Sequence, residues 1–161
     1  VGKTTIGKIL AKKLKYNFID VDKLIEIKEG MSINLIFKKK GESFFRKIEH
    51  DLTLIELKKN KSVISLGGGA FLDSNVRKNV KRLSISFWLD VSLDELIKRL
   101  KKNKQRPLLF RKNTGDEIKK IYFSRKKIYN EADFKIKCGS LKTELIAKKI
   151  VNLYEKTRDQ V

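Results

Sequence analysis

The sequence predicts one α/β domain in which helices cover both faces of a parallel β-sheet. Short apolar segments of strand length alternate along the chain with longer segments of helical periodicity. Two of the short segments, "SVISL" and "LSISFWL", are largely apolar, as strands buried on both faces are. The length suits a single domain over residues 1–161, and no internal repeat, low-complexity tract or Pro/Gly-rich linker divides it.

The first half of the chain predicts a helix, a strand and two more helices. The first helix covers about residues 4–14, and "YNFIDVD" then has a strand-like pattern. Ser32 is placed to cap a helix that Gly41 breaks, and a longer helix follows over about 42–59. Four apolar residues of the longer helix are spaced as a buried stripe: Phe45, Ile48, Leu52 and Ile55.

The second half alternates strands and helices. After the two apolar strands we expect a helix over about 94–102, a polar loop over 101–115, a helix over 116–130, the strand "DFKIKC" and a last helix over 143–156. A sheet of this kind also needs a strand directly before the first helix, and no residues remain to form it. We therefore expect the first strand to be missing from this chain.

The net charge of +20 would raise affinity for nucleic acid or another polyanion. The lysines are spread from Lys3 to Lys156, however, and aromatic residues do not alternate with them as on a strand-binding surface. We interpret them as a lysine-rich soluble surface and expect no specific nucleic acid.

The single cysteine, Cys138, excludes an internal disulfide framework and suits a reducing cytoplasm. The only histidine, His50, is predicted mid-helix among charges, which disfavours catalysis by a Cys–His pair. No apolar run is long enough to span a membrane. From the cysteine usage we expect a cytoplasmic protein.

The chain opens with Gly2-Lys3-Thr4, the end of the phosphate-loop pattern G-x-x-x-x-G-K-[ST]. In such a loop the lysine reaches the terminal phosphates and the hydroxyl binds Mg²⁺. The triplet starts a predicted helix, whose dipole and free N–H groups favour phosphate. On its own the triplet fits an ordinary charged helix start equally well.

Asp20 and Asp22 flank Val21 at the end of the first predicted strand. At positions i and i+2 of a strand, both carboxylates point to one face. Mg²⁺ or a substrate hydroxyl would offset their repulsion. The alternative, which the pattern alone favours, is a polar turn in which Asp22 caps the next helix.

Gly67, Gly68 and Gly69 follow the strand "SVISL". Glycines let a ligand approach the backbone closely, and ligands of open α/β sheets bind where strands end. Because one glycine usually suffices for a plain turn, we interpret these three as functional.

Several arginines stand out against the lysine background. Arg46 lies one helical turn before Glu49, close enough to pair with it, and Arg125 lies on a later helix. Guanidinium groups bind planar carboxylates at two points. Arg106 could close over ATP phosphates with its polar loop, and Arg99 could border a nucleotide base. For any one of them the alternative is a solvated surface charge, which is the more common case.

Taken together, these segments resemble the shikimate kinases. The order of "GKTTIGKILAKKL", "FIDVDKLIE", "GMSINLIFKKKGESFFRKIE", "VISLGGGA", "RPLL" and "RKKIYNEAD" carries the resemblance over nearly the whole chain. Adenylate and gluconate kinases share the loop but not this set. The resemblance implies a P-loop kinase with a three-layer α/β/α fold, its first strand missing here. It also implies transfer of the γ-phosphate of ATP to the 3-hydroxyl of shikimate in aromatic amino-acid biosynthesis.

On the nucleotide side, the resemblance implies that four residues at the start of the chain bind ATP: Gly2, Lys3, Thr4 and Thr5. Thr4 would hold Mg²⁺, and Asp20 would support the ion through water. Arg99 would border the adenine. Arg106 would come down on ATP with a lid over about 101–113.

On the substrate side, the resemblance implies a binding segment over about 24–54. Asp22 would contact the shikimate hydroxyls and orient or deprotonate the attacking one. Arg46 and Arg125 would grip the carboxylate, and the substrate would be lined by Gly67, Gly68 and Gly69. The implied catalytic residues are Lys3, Asp22 and Arg106. We expect a monomer.

Three alternatives remain at this stage. Another P-loop kinase, such as a gluconate-type kinase, would use the arginine pair to hold a different acid. A basic nucleic-acid-binding domain would show a steep salt dependence of binding. A non-catalytic remnant would be consistent with the shortened phosphate loop.

Overall fold

The structure, a computed structural model, describes residues 2–102 and 115–160. Its elements are helix α1 (Lys3–Leu14), strand β1 (Asn17–Asp20), helices α2 (Val21–Glu29) and α3 (Ile33–Glu56), strand β2 (Ser62–Ser65), a 3-10 turn (Ala70–Leu72), helix α4 (Ser74–Leu83), strand β3 (Phe87–Asp90), helices α5 (Leu93–Lys102) and α6 (Gly115–Tyr129), strand β4 (Phe134–Lys137) and helix α7 (Thr143–Arg158). The predicted alternation of strands and helices is confirmed over these residues. None of the described helices is long and apolar enough to cross a membrane.

The strands form parallel pairs. β1 lies beside β2, with Asn17 opposite Ser62 and Asp20 opposite Ser65. β3 lies beside β4 in the same sense. Within the described residues no hydrogen-bonded ladder joins the two pairs. Since β1 and β2 are parallel and end in register, the residues after Asp20 and after Ser65 emerge at one edge of the sheet.

Apolar clusters cover both faces of β2. Val63 packs against a cluster on one face that involves α1 and α7. Its neighbour Ile64 points the opposite way and packs against two clusters built from α2, α3 and α4. Phe87 and Leu89 of β3 join the cluster that Val63 contacts. The strands are therefore sandwiched between helical layers, as predicted.

The boundaries of α3 follow local signals. The Ser32 hydroxyl accepts a hydrogen bond from the Leu35 N–H at 3.4 Å and caps the helix, as predicted. Gly41 interrupts it with φ 82° and ψ 171°, a conformation that favours glycine, so the predicted break is also confirmed.

The predicted apolar stripe on α3 is partly wrong. Ile55 is 54% exposed, and Ile48 and Leu52 are only partly buried. The buried face instead carries Phe45 together with three polar residues: Glu49, Thr53 and Glu56. These lie three or four residues apart and so share one face. The stripe was misplaced because a buried face was assumed to be apolar.

The segment "YNFIDVD" does not extend as a strand to its end. β1 stops at Asp20, whose Oδ1 accepts a hydrogen bond from the Lys23 N–H at 3.3 Å and caps α2. Asp22 lies in the first turn of that helix. The prediction that both carboxylates share a strand face is therefore wrong, as is the alternative that Asp22 caps the helix. Capping by Asp20 ends the extended run two residues early.

Candidate active site

A cavity of about 340 Å³ opens between α3, the segment after β2, and α6. Arg46, Glu49 and His50 line it from α3, Gly69 lines it from the segment after β2, and Arg125 lines it from α6. The two arginines that the sequence singled out therefore meet at one cavity, although they are far apart along the chain.

Arg46 is held in place by two carboxylates of its own helix. Its Nη1 donates to Oε2 of Glu49 at 2.6 Å, and its Nε lies 3.4 Å from Oε1 of Glu42. The side chain of Glu49 is only 3% exposed. The predicted pairing of Arg46 with Glu49 is thus confirmed, and it fixes the direction of a guanidinium that also borders the cavity.

The pKa values of this pair shift for different reasons. Burial lowers the pKa of Arg46, but the hydrogen bond and charge of Glu49, helped by Glu42, outweigh it, so the pKa rises overall. Burial raises the pKa of Glu49 and outweighs the opposing effect of Arg46. Asp22 raises the Glu49 pKa further, and Arg125 lowers it. Arg46 therefore stays charged, while Glu49 ionises less readily than an exposed glutamate.

The glycines after β2 lie against these charged side chains. A Cβ on Gly67 would stand 2.5 Å from Oε1 of Glu49 and 2.8 Å from Oδ1 of Asp22. A Cβ on Gly69 would stand 2.6 Å from Cζ of Arg46. Real Cβ atoms do not approach other atoms so closely, so a side chain at either position would push these charged groups aside, and glycine serves close approach here rather than a positive φ.

Gly68 faces α6 instead. A Cβ on this residue would stand 3.7 Å from Nη1 of Arg125 and 3.9 Å from the Tyr129 hydroxyl, which are ordinary contacts. That hydroxyl donates a hydrogen bond to the Gly68 carbonyl oxygen. The structure therefore brings Asp22, Arg46 and Arg125 together around the three glycines.

The predicted nucleotide residues lie at the start of α1. Gly2 precedes the helix with φ 89°, and the first turn contains no acidic residue. The Thr4 hydroxyl donates to Oδ2 of Asp20 at 2.9 Å, so the two predicted metal-binding residues are adjacent. Lys3 and Thr5 share the same turn of helix, whose N–H groups and dipole favour phosphate.

Two predicted residues cannot be placed in this geometry. Arg106 and the rest of the predicted lid beyond Lys102 lie outside the described residues. Arg99 falls within α5, but its side chain is not among those described.

Sequence reasoning missed three residues at the site. Glu49 was expected only as a partner for Arg46, yet it borders the cavity. His50 was interpreted as a mid-helix residue among charges, yet it also lines the cavity, with its Nε2 3.2 Å from Nδ2 of Asn75. Tyr129 lies one turn after Arg125, and that spacing was a signal that could have placed it beside the arginine.

The model of the shikimate kinase family matches residues 1–155 of the chain. The chain belongs to this family. A shikimate kinase from Thermodesulfovibrio yellowstonii is 41% identical over 155 residues, covering 96% of this chain and 90% of that protein. One from Aquifex aeolicus is 38% identical over 150 residues, covering 93% and 88%.

Solved shikimate kinases also share the fold. The crystal structure of the Aquifex aeolicus enzyme matches with a TM-score of 0.87 at 36% identity, over 98% of this chain and 92% of that one. The Acinetobacter baumannii enzyme, solved in complex with shikimate, matches with a TM-score of 0.89 at 30% identity, over 97% and 88%. The predicted family, P-loop α/β fold and enzyme class, an ATP-dependent shikimate kinase, are confirmed.

Proposed function

We propose that this shikimate kinase transfers the γ-phosphate of ATP to the 3-hydroxyl of shikimate, with ATP at the start of α1 and shikimate in the cavity between α3 and α6. The observation that carries the substrate assignment is the convergence of Arg46 and Arg125 on that cavity beside Gly69. Two guanidinium groups suit one planar carboxylate, and a volume of about 340 Å³ suits a small ring acid.

The nucleotide assignment rests on the chemistry at the start of α1. The backbone from Gly2 onward and the Lys3 ammonium would bind phosphate oxygens. Thr4 and Asp20 supply a hydroxyl and a carboxylate oxygen 2.9 Å apart. This pair fits Mg²⁺, an ion that prefers oxygen ligands and is usually bound by protein oxygens together with the phosphates of the substrate. When bound, the ion would neutralise charge on the phosphates.

Asp22 has the clearest role in moving the proton. It lies beside Gly67, two residues before Gly69, which lines the cavity. A carboxylate there can orient the attacking hydroxyl and accept its proton. The enzyme then has little covalent work to do, because positioning and charge neutralisation carry most of the catalysis of phosphoryl transfer. Arg106 and Arg99 keep their predicted roles toward ATP as expectations from the resemblance.

The proposal extends to a monomeric enzyme in the cytoplasm that needs neither a membrane nor a specific nucleic acid. These expectations rest on the family resemblance and on the spread of lysines along the chain.

The position of the transferred phosphate tests the proposed reaction. The full-length protein is incubated with Mg-ATP and shikimate, and the product is examined by phosphorus and proton NMR. We expect a single phosphate ester on the C3 oxygen. An ester on another oxygen, or ADP formed with inorganic phosphate alone, would contradict the proposal.

A further inference from the structure

Tyr129, the last residue of α6, connects that helix to the glycines after β2. Its hydroxyl donates a hydrogen bond to the carbonyl oxygen of Gly68. Its ring packs against Phe71, with centroids 6.3 Å apart, and against Trp88, with centroids 6.0 Å apart. The ring is therefore held by packing, and the hydroxyl projects toward the glycines.

The glycine segment has no side chains of its own to fix it. A backbone carbonyl near a partly buried site needs a donor, and Tyr129 supplies one to Gly68. Arg125 lies one helical turn before Tyr129 and next to Gly68, since a Cβ there would be 3.7 Å from its Nη1. The position of the Gly68 backbone and the position of the Arg125 guanidinium therefore depend on the same stretch of α6.

We propose that Tyr129 is a positioning residue for the substrate: its hydroxyl ties Gly68 to the helix that carries Arg125 and so sets the gap in which the carboxylate end of shikimate is held. This role rests on the proposed function, because it assigns the same cavity to shikimate. Tyr129 acts through Gly68 and Arg125 and takes no part in phosphoryl transfer itself.

The protonation of Tyr129 agrees with this role. Burial raises the pKa of its hydroxyl above the ordinary value of 10.0, although Arg125 acts in the opposite direction. The hydroxyl therefore remains a donor over the whole pH range in which the enzyme would be assayed.

The test compares Tyr129→Phe with Tyr122→Phe. Tyr122 is a suitable control because it lies on the same helix and its hydroxyl also donates to a backbone carbonyl, that of Val91, at 3.2 Å. Each substitution removes one hydroxyl and keeps the ring. Shikimate binding to the full-length protein is measured by calorimetry, and KM for shikimate, KM for ATP and kcat are measured alongside.

We expect Tyr129→Phe to weaken shikimate binding and raise its KM by about tenfold, the scale of one hydrogen bond, while KM for ATP changes less than about twofold. Tyr122→Phe should leave both KM values unchanged. Replacing Tyr129 with p-aminophenylalanine, which keeps a donor at the same place, should restore shikimate affinity. This rescue also covers the case in which Tyr129→Phe folds poorly.

If the wild-type protein binds shikimate and the two phenylalanine variants bind it with equal affinity, the positioning role alone is overturned. Failure of the rescue variant to regain affinity would do the same. A folded wild-type protein that does not bind shikimate at all would overturn the proposed function and the positioning role together.

Discussion

At the scale of single residues, Arg46 and Arg125 are held in different ways. Arg46 is fixed by a 2.6 Å ion pair with the buried Glu49, whereas Arg125 lies against Gly68 and Tyr129. The identity of both arginines could be predicted from the sequence, and so could the Arg46–Glu49 pair, because i and i+3 are neighbours on any helix. The contacts of Arg125 could not, since they depend on how α6 packs on β2.

Arg125→Ala should mainly damage shikimate binding. Removing a guanidinium that binds a carboxylate costs about 2 kcal/mol or more, so KM for shikimate should rise roughly 30-fold, with KM for ATP little changed. Arg125→Lys keeps the charge but not the two-point geometry and should fall between wild type and alanine. Steady-state kinetics with each substrate varied in turn checks this, and an effect confined to ATP would contradict it.

Asp22→Asn should lower turnover severely without disturbing the nucleotide site. Loss of a proton acceptor typically lowers kcat by about 10²- to 10⁴-fold. ATP affinity, measured by calorimetry, should stay within about twofold of wild type, because Asp22 is not among the residues proposed to bind ATP. Asp159→Asn, at the exposed end of α7, is the matched control. Equal losses of turnover and ATP affinity would count against the assigned role.

Glu49 should make the stability of the folded protein depend on pH. The pKa of Glu49 is raised on folding, so the folded state binds the proton more tightly than the unfolded state does. The protonated carboxyl therefore stabilises the folded state at a pH below the ordinary value of 4.5. This stabilisation is lost as the pH rises through the raised pKa. Glu49→Gln lacks this dependence. The ion pair with Arg46 that this variant lacks forms only as Glu49 ionises, so its pH-dependent effect is already contained in the pKa of Glu49.

The free energy of unfolding of wild type relative to Glu49→Gln should therefore fall as the pH is raised from 4.5 toward neutrality. Urea unfolding of both proteins across this range measures it. A relative stability that rises with pH would show that the ion pair with Arg46, rather than burial, dominates the titration of Glu49.

At the scale of elements, local signals predicted where helices start and break. Ser32 and Gly41 act through their own backbone neighbours, and the structure confirms both. The end of β1 at Asp20 was missed because the same short segment has the pattern of a strand and also contains residues that can cap a helix. The buried face of α3 was missed because Glu49 owes its burial to groups that come from other elements.

Gly68 and Gly69, in the segment after β2, should differ in how well they accept a side chain. A Cβ at Gly69 would displace the Arg46 guanidinium, so Gly69→Ala should raise KM for shikimate by about tenfold or more through the misplaced arginine. The arginine can move aside, so the melting temperature should fall by only a few degrees. Gly68→Ala, whose Cβ would meet only ordinary contacts, is the comparison for stability.

Calorimetric melting curves and shikimate kinetics of the two alanine variants provide the check. If Gly69→Ala binds shikimate as tightly as wild type, then the close approach of Gly69 to Arg46 is not needed for shikimate binding.

At the scale of the whole molecule, the net charge of +20 is the dominant electrostatic feature. Like charges repel in the compact state, and salt screens this repulsion. Raising KCl from about 20 to about 200 mM should therefore raise the melting temperature of the protein, followed by circular dichroism. A fall would mean that attractive pairs, such as Lys81 with Glu131, outweigh the net repulsion.

The layered α/β architecture was predictable because alternating patterns and buried strands are properties of the sequence itself. The substrate was not predictable in that way. Charges alone allowed a nucleic-acid-binding domain, and the arginine pair alone allowed another acid. Only the joint order of the motifs favoured shikimate, and the cavity that joins Arg46 to Arg125 is a product of tertiary packing.

Shikimate-dependent release of ADP from Mg-ATP tests the central claim most directly. The full-length protein is assayed with shikimate, with gluconate and with neither acid. We predict rapid release with shikimate and only background release in the other two cases. A folded protein that binds ATP but releases no additional ADP with shikimate would contradict the claim that this cavity holds shikimate for phosphorylation.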